Sequence, residues 1–169
     1  MVIWQTDSWR LVLKEQLLPD GRRQQKPIVV HPGVVVLVPL LDDQVIMLRQ
    51  YRLALDQMIW ELPAGTRGWD EDWLACAQRE LREETGYRAE RFVSLGEIWS
   101  APGLSDELMA LYLALDLTPD PLNPDEDEQF ERELRPLAEL VEMAVDGRLQ
   151  DAKTIVAILR AARYLQANG

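Results

Sequence analysis

The sequence predicts an α+β or a layered α/β/α domain: strand-like segments fill the middle of the chain, one helical segment interrupts them, and two more helical segments close the C-terminal end. Two further observations bound that expectation. The chain has 169 residues, enough for one well-cored domain and too few for two ordinary ones. Charged residues make up 28% and hydrophobic residues 47%, the balance of a folded globular chain, which excludes wholesale disorder and collagen-like structure.

The elements follow in order. Residues 9–18 set Trp9, Leu11 and Leu13 against Arg10, Val12 and Lys14 and run into Pro19-Asp20-Gly21, a strand followed by a turn. Residues 28–40 are rich in β-branched side chains; Asp42-Asp43 and then Val45, Ile46, Met47 and Leu48 follow, the pattern of two strands joined by a tight turn. Further strands are expected over residues 58–62, 91–100, 107–117 and 129–134. Helical periodicity marks residues 71–85, 136–145 and 153–166, with Pro136 suited to a first turn, Gly147 to a stop and Asp151 to an N-cap. Between the last strand and its predecessor lies a proline-rich, strongly acidic loop, residues 120–128.

Charge narrows the function. Eighteen Lys and Arg oppose 29 Asp and Glu, a formal net charge of -11 that repels phosphate backbones and anionic lipid. No nucleic-acid polymer and no membrane is expected as a partner, whereas a small anionic substrate would need metal cations to mediate its contact. Cys76 is the single cysteine, so no intramolecular disulfide forms and a cytoplasmic location is expected. Asp7 interrupts the N-terminal segment where a secretion signal needs an apolar run. The longest apolar stretch, residues 34–41, contains Pro39 and falls far short of the ~20 residues of a membrane span.

The informative segment runs from Gly65 to Tyr87. On a helix Trp73, Leu74, Ala77 and Leu81 share one face; Glu84 projects between Trp73 and Ala77, and Glu80 and Glu83 complete three carboxylates within about one turn. Such a run also fits a solvated acidic face neutralised by Arg79 and Arg82. Carboxylates at the margin of a packing face instead point to a hard divalent cation, and oxygen-only ligands suit Mg²⁺ or Mn²⁺.

Gly65, Glu71, Arg79, Glu80, Leu81, Glu83, Glu84, Gly86 and Tyr87 match the pattern G-x5-E-x7-R-E-U-x-E-E-x-G-U, in which U is a bulky apolar residue and Tyr87 is the loose fit. That pattern is the Nudix box, and a chance match in a chain of this length is on the order of one in 100,000. The chain therefore resembles the Nudix hydrolases. The resemblance implies an α/β/α sandwich with a mixed β-sheet, a single domain over residues 1–169 with an N-terminal β extension over residues 1–30, and cleavage of a nucleoside diphosphate linked to another group. It implies Mg²⁺ or Mn²⁺ held by Glu80 and Glu84, with Glu83 a further ligand or base and the Ala64 carbonyl completing the set. Gly65, Glu71, Arg79 and Gly86 would support the site, Glu71 and Arg79 as an ion pair joining loop to helix.

Features outside the box resemble the ADP-ribose pyrophosphatase branch: Gln50-Tyr51-Arg52, Glu61-Leu62-Pro63-Ala64-Gly65 and Ser100-Ala101-Pro102-Gly103, with Pro102 sixteen positions after Gly86. The resemblance implies substrate contact by Arg52 and Glu61 and by Pro102, Gly103, Leu104 and Glu107. It also implies a water-activating glutamate in the acidic loop, Glu128, with Glu126 as the alternative. Gln129 and Arg132 depart from that branch, which is more apolar there. ADP-ribose is the expected substrate, giving AMP and ribose 5-phosphate; nucleotide sugars, FAD, NADH or binding without turnover are the alternatives. His31 reads as structural and Cys76 as packing, while Trp60 and Trp99 are candidates for stacking on the base. The resemblance further implies a homodimer through the N-terminal strand, burying Trp4 or Trp9.

Overall fold

The structure, a computed structural model, describes residues 1–123 and 130–168. Its N-terminal part is a three-stranded antiparallel sheet of β1 (Val2–Gln5), β2 (Arg10–Leu17) and β3 (Arg23–Val30). A seven-stranded mixed sheet follows, built from β4 (Val34–Leu41), β5 (Gln44–Arg52), β6 (Gln57–Glu61), β7 (Ala64–Thr66), β8 (Tyr87–Trp99), β9 (Leu108–Pro119) and β10 (Phe130–Pro136). Its main path is β10-β5-β4-β9-β8, with β6 on β5 and β7 on β4; β4 and β9 run parallel and the other pairs antiparallel. Helices α1 (Trp73–Thr85), α2 (Leu137–Asp146) and α3 (Ala152–Asn168) cover it. No helix among the described residues is long and apolar enough to cross a membrane.

Strand β4 explains the layering. Val34, Val36 and Val38 enter one core with Leu111, Leu113, Leu140, Met143, Ala157 and Ile158, beneath α2 and α3. Val35 and Leu37 point the other way, into a second core with Cys76, Ala77 and Leu81 of α1. A strand buried on both faces needs an unbroken apolar run, and residues 34–38 supply it. The α/β/α sandwich expected from the sequence is the observed architecture.

Boundaries move for identifiable reasons. The run over residues 28–40 is two strands in different sheets, broken at His31-Pro32-Gly33, where His31 Nδ1 accepts the Gly33 amide at 3.1 Å and the His31 amide donates to Asp106 at 2.9 Å. Strand β3 begins in the polar stretch Arg23-Gln24-Gln25-Lys26, which carries no alternation because its first five residues are exposed. Helix α1 begins at Trp73 rather than Glu71, because the Asp72 carboxylate accepts the Leu74 and Ala75 amides and caps it. At its other end Gly86 takes φ +83°, a left-handed C-cap closed by its amide on the Arg82 carbonyl.

The loop entering the site is tied to α3. The Leu62 amide donates to Thr154 Oγ1 at 2.9 Å, and that hydroxyl donates to Asp151 Oδ2 at 2.6 Å; Thr154 is fully buried. Thr154→Val keeps the shape and orphans the Leu62 amide, so a loss of about 1–3 kcal/mol in urea unfolding is expected. An unchanged stability would show that this bond does not hold the loop.

Candidate active site

Helix α1 carries its glutamates on two kinds of surface. Glu80 and Glu84 lie among the buried residues Cys76, Ala77, Leu81 and Thr85, at 6% and 2% exposure, while Glu83 sits at the rim. Three like charges in one turn need a cation, and Arg79 supplies it. Its Nε and Nη2 take the two Glu71 oxygens at 2.9 and 3.0 Å, and its Nη1 takes Glu80 at 2.6 Å and Glu83 at 3.0 Å. The hydrogen bonds to Glu71 lead the effects that raise the Arg79 pKa above its ordinary value. The bonds from Arg79 likewise pull the Glu71 carboxyl from 4.5 to about 2.

The loop before the helix closes onto these carboxylates. The Ala64 amide donates to Glu84 Oε2 at 2.7 Å. A Cβ on Gly65 would stand 1.9 Å from the Glu80 carboxylate carbon, so only glycine permits the approach. The Gly68 amide binds Glu71, and Arg67 bridges the Pro32 and Glu71 carbonyls while its guanidinium lies 4.6 Å above the Trp73 ring. Trp69 Nε1 donates to the Asp7 carbonyl at 3.1 Å and Arg10 stacks on its ring at 4.1 Å, which joins the β1–β2 turn to the same loop. A polar cleft of about 530 Å³ results, lined by Asp7, Ser8, Arg67, Glu71, Arg79 and Glu80 among others.

A second charged group stands beside the first. Arg52 ends β5 and donates from Nε to both oxygens of Glu61, at 3.1 and 3.0 Å; Glu61 is 3% exposed. Burial disfavours the Arg52 charge, but the bonds and charge of Glu61, with Glu84 and Asp151 nearby, outweigh it and raise the pKa. Lys153 Nζ completes the group, 3.2 Å from Glu61 and 3.0 Å from Asp151. Arg52, Glu61, Asp151 and Lys153 line a cleft of about 550 Å³ with Gln57 and Ile59.

Ala64, Gly65, Glu71, Arg79, Glu80, Glu83 and Glu84 are thus brought together, with Arg52 and Glu61 alongside. Pro102, Gly103 and Leu104 form a turn at the junction of the two sheets, where the Leu104 carbonyl accepts the Val29 amide. Glu107 lies 3.6 Å from His31 Nε2 there. That junction adjoins the loop through β4, whose Val34 pairs with Thr66 on one side and Met109 on the other. Glu126 and Glu128 lie outside the described residues, as does Gln129. Arg132, the departure from the family pattern, caps α1: its guanidinium donates to the Glu84 carbonyl at 2.6 Å and the Glu83 carbonyl at 3.1 Å. The Trp60 ring packs on the core, with the Arg135 guanidinium 4.6 Å and the Arg49 guanidinium 5.9 Å from its centre. Trp99 is 64% exposed. Cys76 is buried with its thiol pushed up to about 12 by burial and the nearby glutamates. Sequence reasoning passed over Arg67, Lys153 and the Asp7 turn; a lysine in the first turn of a helix was the available signal for the second of these.

The donor set is oxygen-only, and the Gly65 cradle holds Glu80 against the loop, which fits a hard divalent cation. Among the described residues no three His, Cys, Asp or Glu side chains already converge on a metal position; Arg79 holds the carboxylates instead. Because the Glu71 carboxyl is depressed in the folded state, its pairing stabilises fully above pH 4.5 and is lost as pH falls through about 2. The stability gap between wild type and Glu71→Gln is therefore expected to be constant above that range and to shrink toward pH 2 in acid-titrated urea melts. A gap independent of pH would contradict the pairing.

Comparison with known proteins bears on this geometry. Residues 30–157 match the NUDIX domain family. The chain is 34% identical over 160 residues to the methanol dehydrogenase activator of Bacillus methanolicus, covering 93% of this chain and 84% of that protein. It is 34% identical over 159 residues to the ADP-ribose pyrophosphatase of Bacillus subtilis (strain 168), covering 92% and 84%. A crystal structure of an ADP compounds hydrolase shares the fold, with a TM-score of 0.85 over 100% of this chain and 92% of that one at 23% identity. With the family match spanning α1, the loop before it and most of the sheet, the chain belongs to the NUDIX domain family.

Proposed function

We propose that this NUDIX hydrolase splits the diphosphate of ADP-ribose, adding water across the linkage to give AMP and ribose 5-phosphate, with Mg²⁺ or Mn²⁺ as its metal. The observation that carries the reading is the closure of the Ala64-Gly65 loop on Glu84 and Glu80 while Arg79 holds Glu71, Glu80 and Glu83. The name of the Bacillus subtilis relative supports the choice of substrate.

Glu80, Glu84, Glu83 and the Ala64 carbonyl would hold the metal, which when bound neutralises diphosphate charge and acidifies water. The chain's own groups do the rest. Arg52, 40% exposed and lining the cleft, binds a phosphate or ribose oxygen through its guanidinium. Arg79 spaces the carboxylates, and Gly86 and Arg132 hold the C-terminal turn that presents Glu83 and Glu84. A carboxylate takes the proton of the attacking water: Glu128 in this reading, with Glu126 and Glu83 the other candidates. Pro102, Gly103, Leu104 and Glu107 are the further candidates for substrate contact in this reading. Residues 1–169 act as one domain, working in the cytoplasm on a small nucleotide, as a homodimer through the N-terminal sheet. The exposure of Met1, Val2, Ile3 and Trp4 on that sheet supports the dimer.

Incubation with ADP-ribose and Mg²⁺, followed by chromatography for AMP, tests the reading. Wild type is expected to release AMP, and Glu84→Gln to lose about 100-fold or more in kcat/KM while keeping its fold. Undiminished turnover by the variant would refute the metal assignment. Absence of AMP from wild type would refute the substrate and turn the search to FAD, NADH, nucleotide sugars and binding without turnover.

A further inference from the structure

Lys153 stands where the helix dipole disfavours it. It is the second residue of α3, in the first turn, where aligned peptide groups leave partial positive charge. Even so, its side chain is only 11% exposed, and its ammonium sits between Glu61 Oε1 at 3.2 Å and Asp151 Oδ2 at 3.0 Å. Asp151 has its own task at this end of the helix: the same oxygen accepts the Thr154 amide and hydroxyl. Glu61 is the carboxylate that Lys153 and Arg52 share. Arg52 reaches it through Nε and Nη2, and Arg52 Nη1 makes no hydrogen bond among the described residues.

A cation in the first turn works against the helix dipole, and its burial costs solvation that the two carboxylates must offset. Its geometry suits another task. Two cations on one buried carboxylate fix its orientation, because each opposes rotation of the group toward the other. The fixed carboxylate then fixes the Arg52 guanidinium at the wall of the cleft that Arg52 and Lys153 both line.

We propose that Lys153 is a positioning residue for substrate binding: it holds Glu61 so that Glu61 holds Arg52 in the orientation that receives the nucleotide. This rests on the reading above that Arg52 contacts a nucleoside diphosphate derivative. Lys153 acts through Glu61, while its contact with Asp151 anchors the ammonium at the start of the helix.

Lys153→Met keeps the stem and removes the charge, and Lys153→Arg keeps the charge. With ADP-ribose as substrate, Lys153→Met is expected to raise KM about tenfold while kcat changes less than threefold, and Lys153→Arg to restore most of the KM. In an Arg52→Gln background, Lys153→Met is expected to raise KM no further. An equal KM effect in both backgrounds, or a fall in kcat at constant KM, overturns the proposal. A second measurement needs no turnover: proton exchange at Arg52 Nε, followed by ¹⁵N NMR on the ligand-free protein, is expected to be slow in wild type and Lys153→Arg and at least about tenfold faster in Lys153→Met. Unchanged exchange in Lys153→Met overturns the proposal. If wild type releases no AMP from ADP-ribose, the substrate reading fails by itself, and the exchange measurement decides the role of Lys153.

Discussion

Collecting like charges at the edge of an apolar core is the constraint on which the site depends. Glu80 and Glu84 are nearly inaccessible, and Glu83 and Glu71 crowd the same rim. Carboxylates taken out of water at such spacing would protonate or push the helix from its loop unless a cation lay among them. The Arg79 guanidinium meets that need through its geometry: five donors in a rigid fork reach Glu71 on the loop side and Glu80 and Glu83 on the helix side. Lysine, with one compact charge, could not span them. One side chain therefore joins loop to helix and sets a positive charge among the carboxylates of the acidic turn.

The rest of the fold delivers the loop to that turn. Strand β4, buried on both faces, pairs with β7 at Ala64, Gly65 and Thr66, and the Leu37 amide binds the Pro63 carbonyl. The Ala64 amide then meets Glu84, and the missing side chain at Gly65 admits Glu80. On the opposite side of the sheet, α3 anchors Leu62 through Thr154 and Glu61 through Lys153. Two charged groups, one centred on Arg79 and one on Glu61, thus flank three residues of backbone. In the proposed function the first would supply acidic oxygens to a metal, and the second would present a guanidinium to an anion.

How much of this was legible follows from the range of each interaction. Helix α1 could be read closely because helical spacing is rigid: Arg79, Glu80, Glu83 and Glu84 have only one relative arrangement once the segment is helical. The doubly buried strand β4 was legible as an unbroken valine run. Strand β3 was hidden because its exposed residues lack alternation, and the break at Pro32 was masked by apolar residues on both sides. Lys153 meets Glu61 across 92 positions, and Arg132 meets Glu84 across 48, distances at which spacing carries no information. Arg132 looked like a flaw in a family pattern and proves to cap the helix that bears the glutamates. The Arg135 and Arg49 guanidiniums beside Trp60 come from a strand 75 positions away and from the neighbouring strand β5, contacts that spacing does not reveal.

In the proposed function the Ala64-Gly65 loop and helix α1 form one oxygen site for a divalent cation. Anomalous diffraction from crystals soaked in Mn²⁺ tests it most directly. The expected result is a metal peak within bonding distance of the Ala64 carbonyl and the carboxylates of Glu80 and Glu84. A peak on other residues, or none at saturating Mn²⁺, would contradict it.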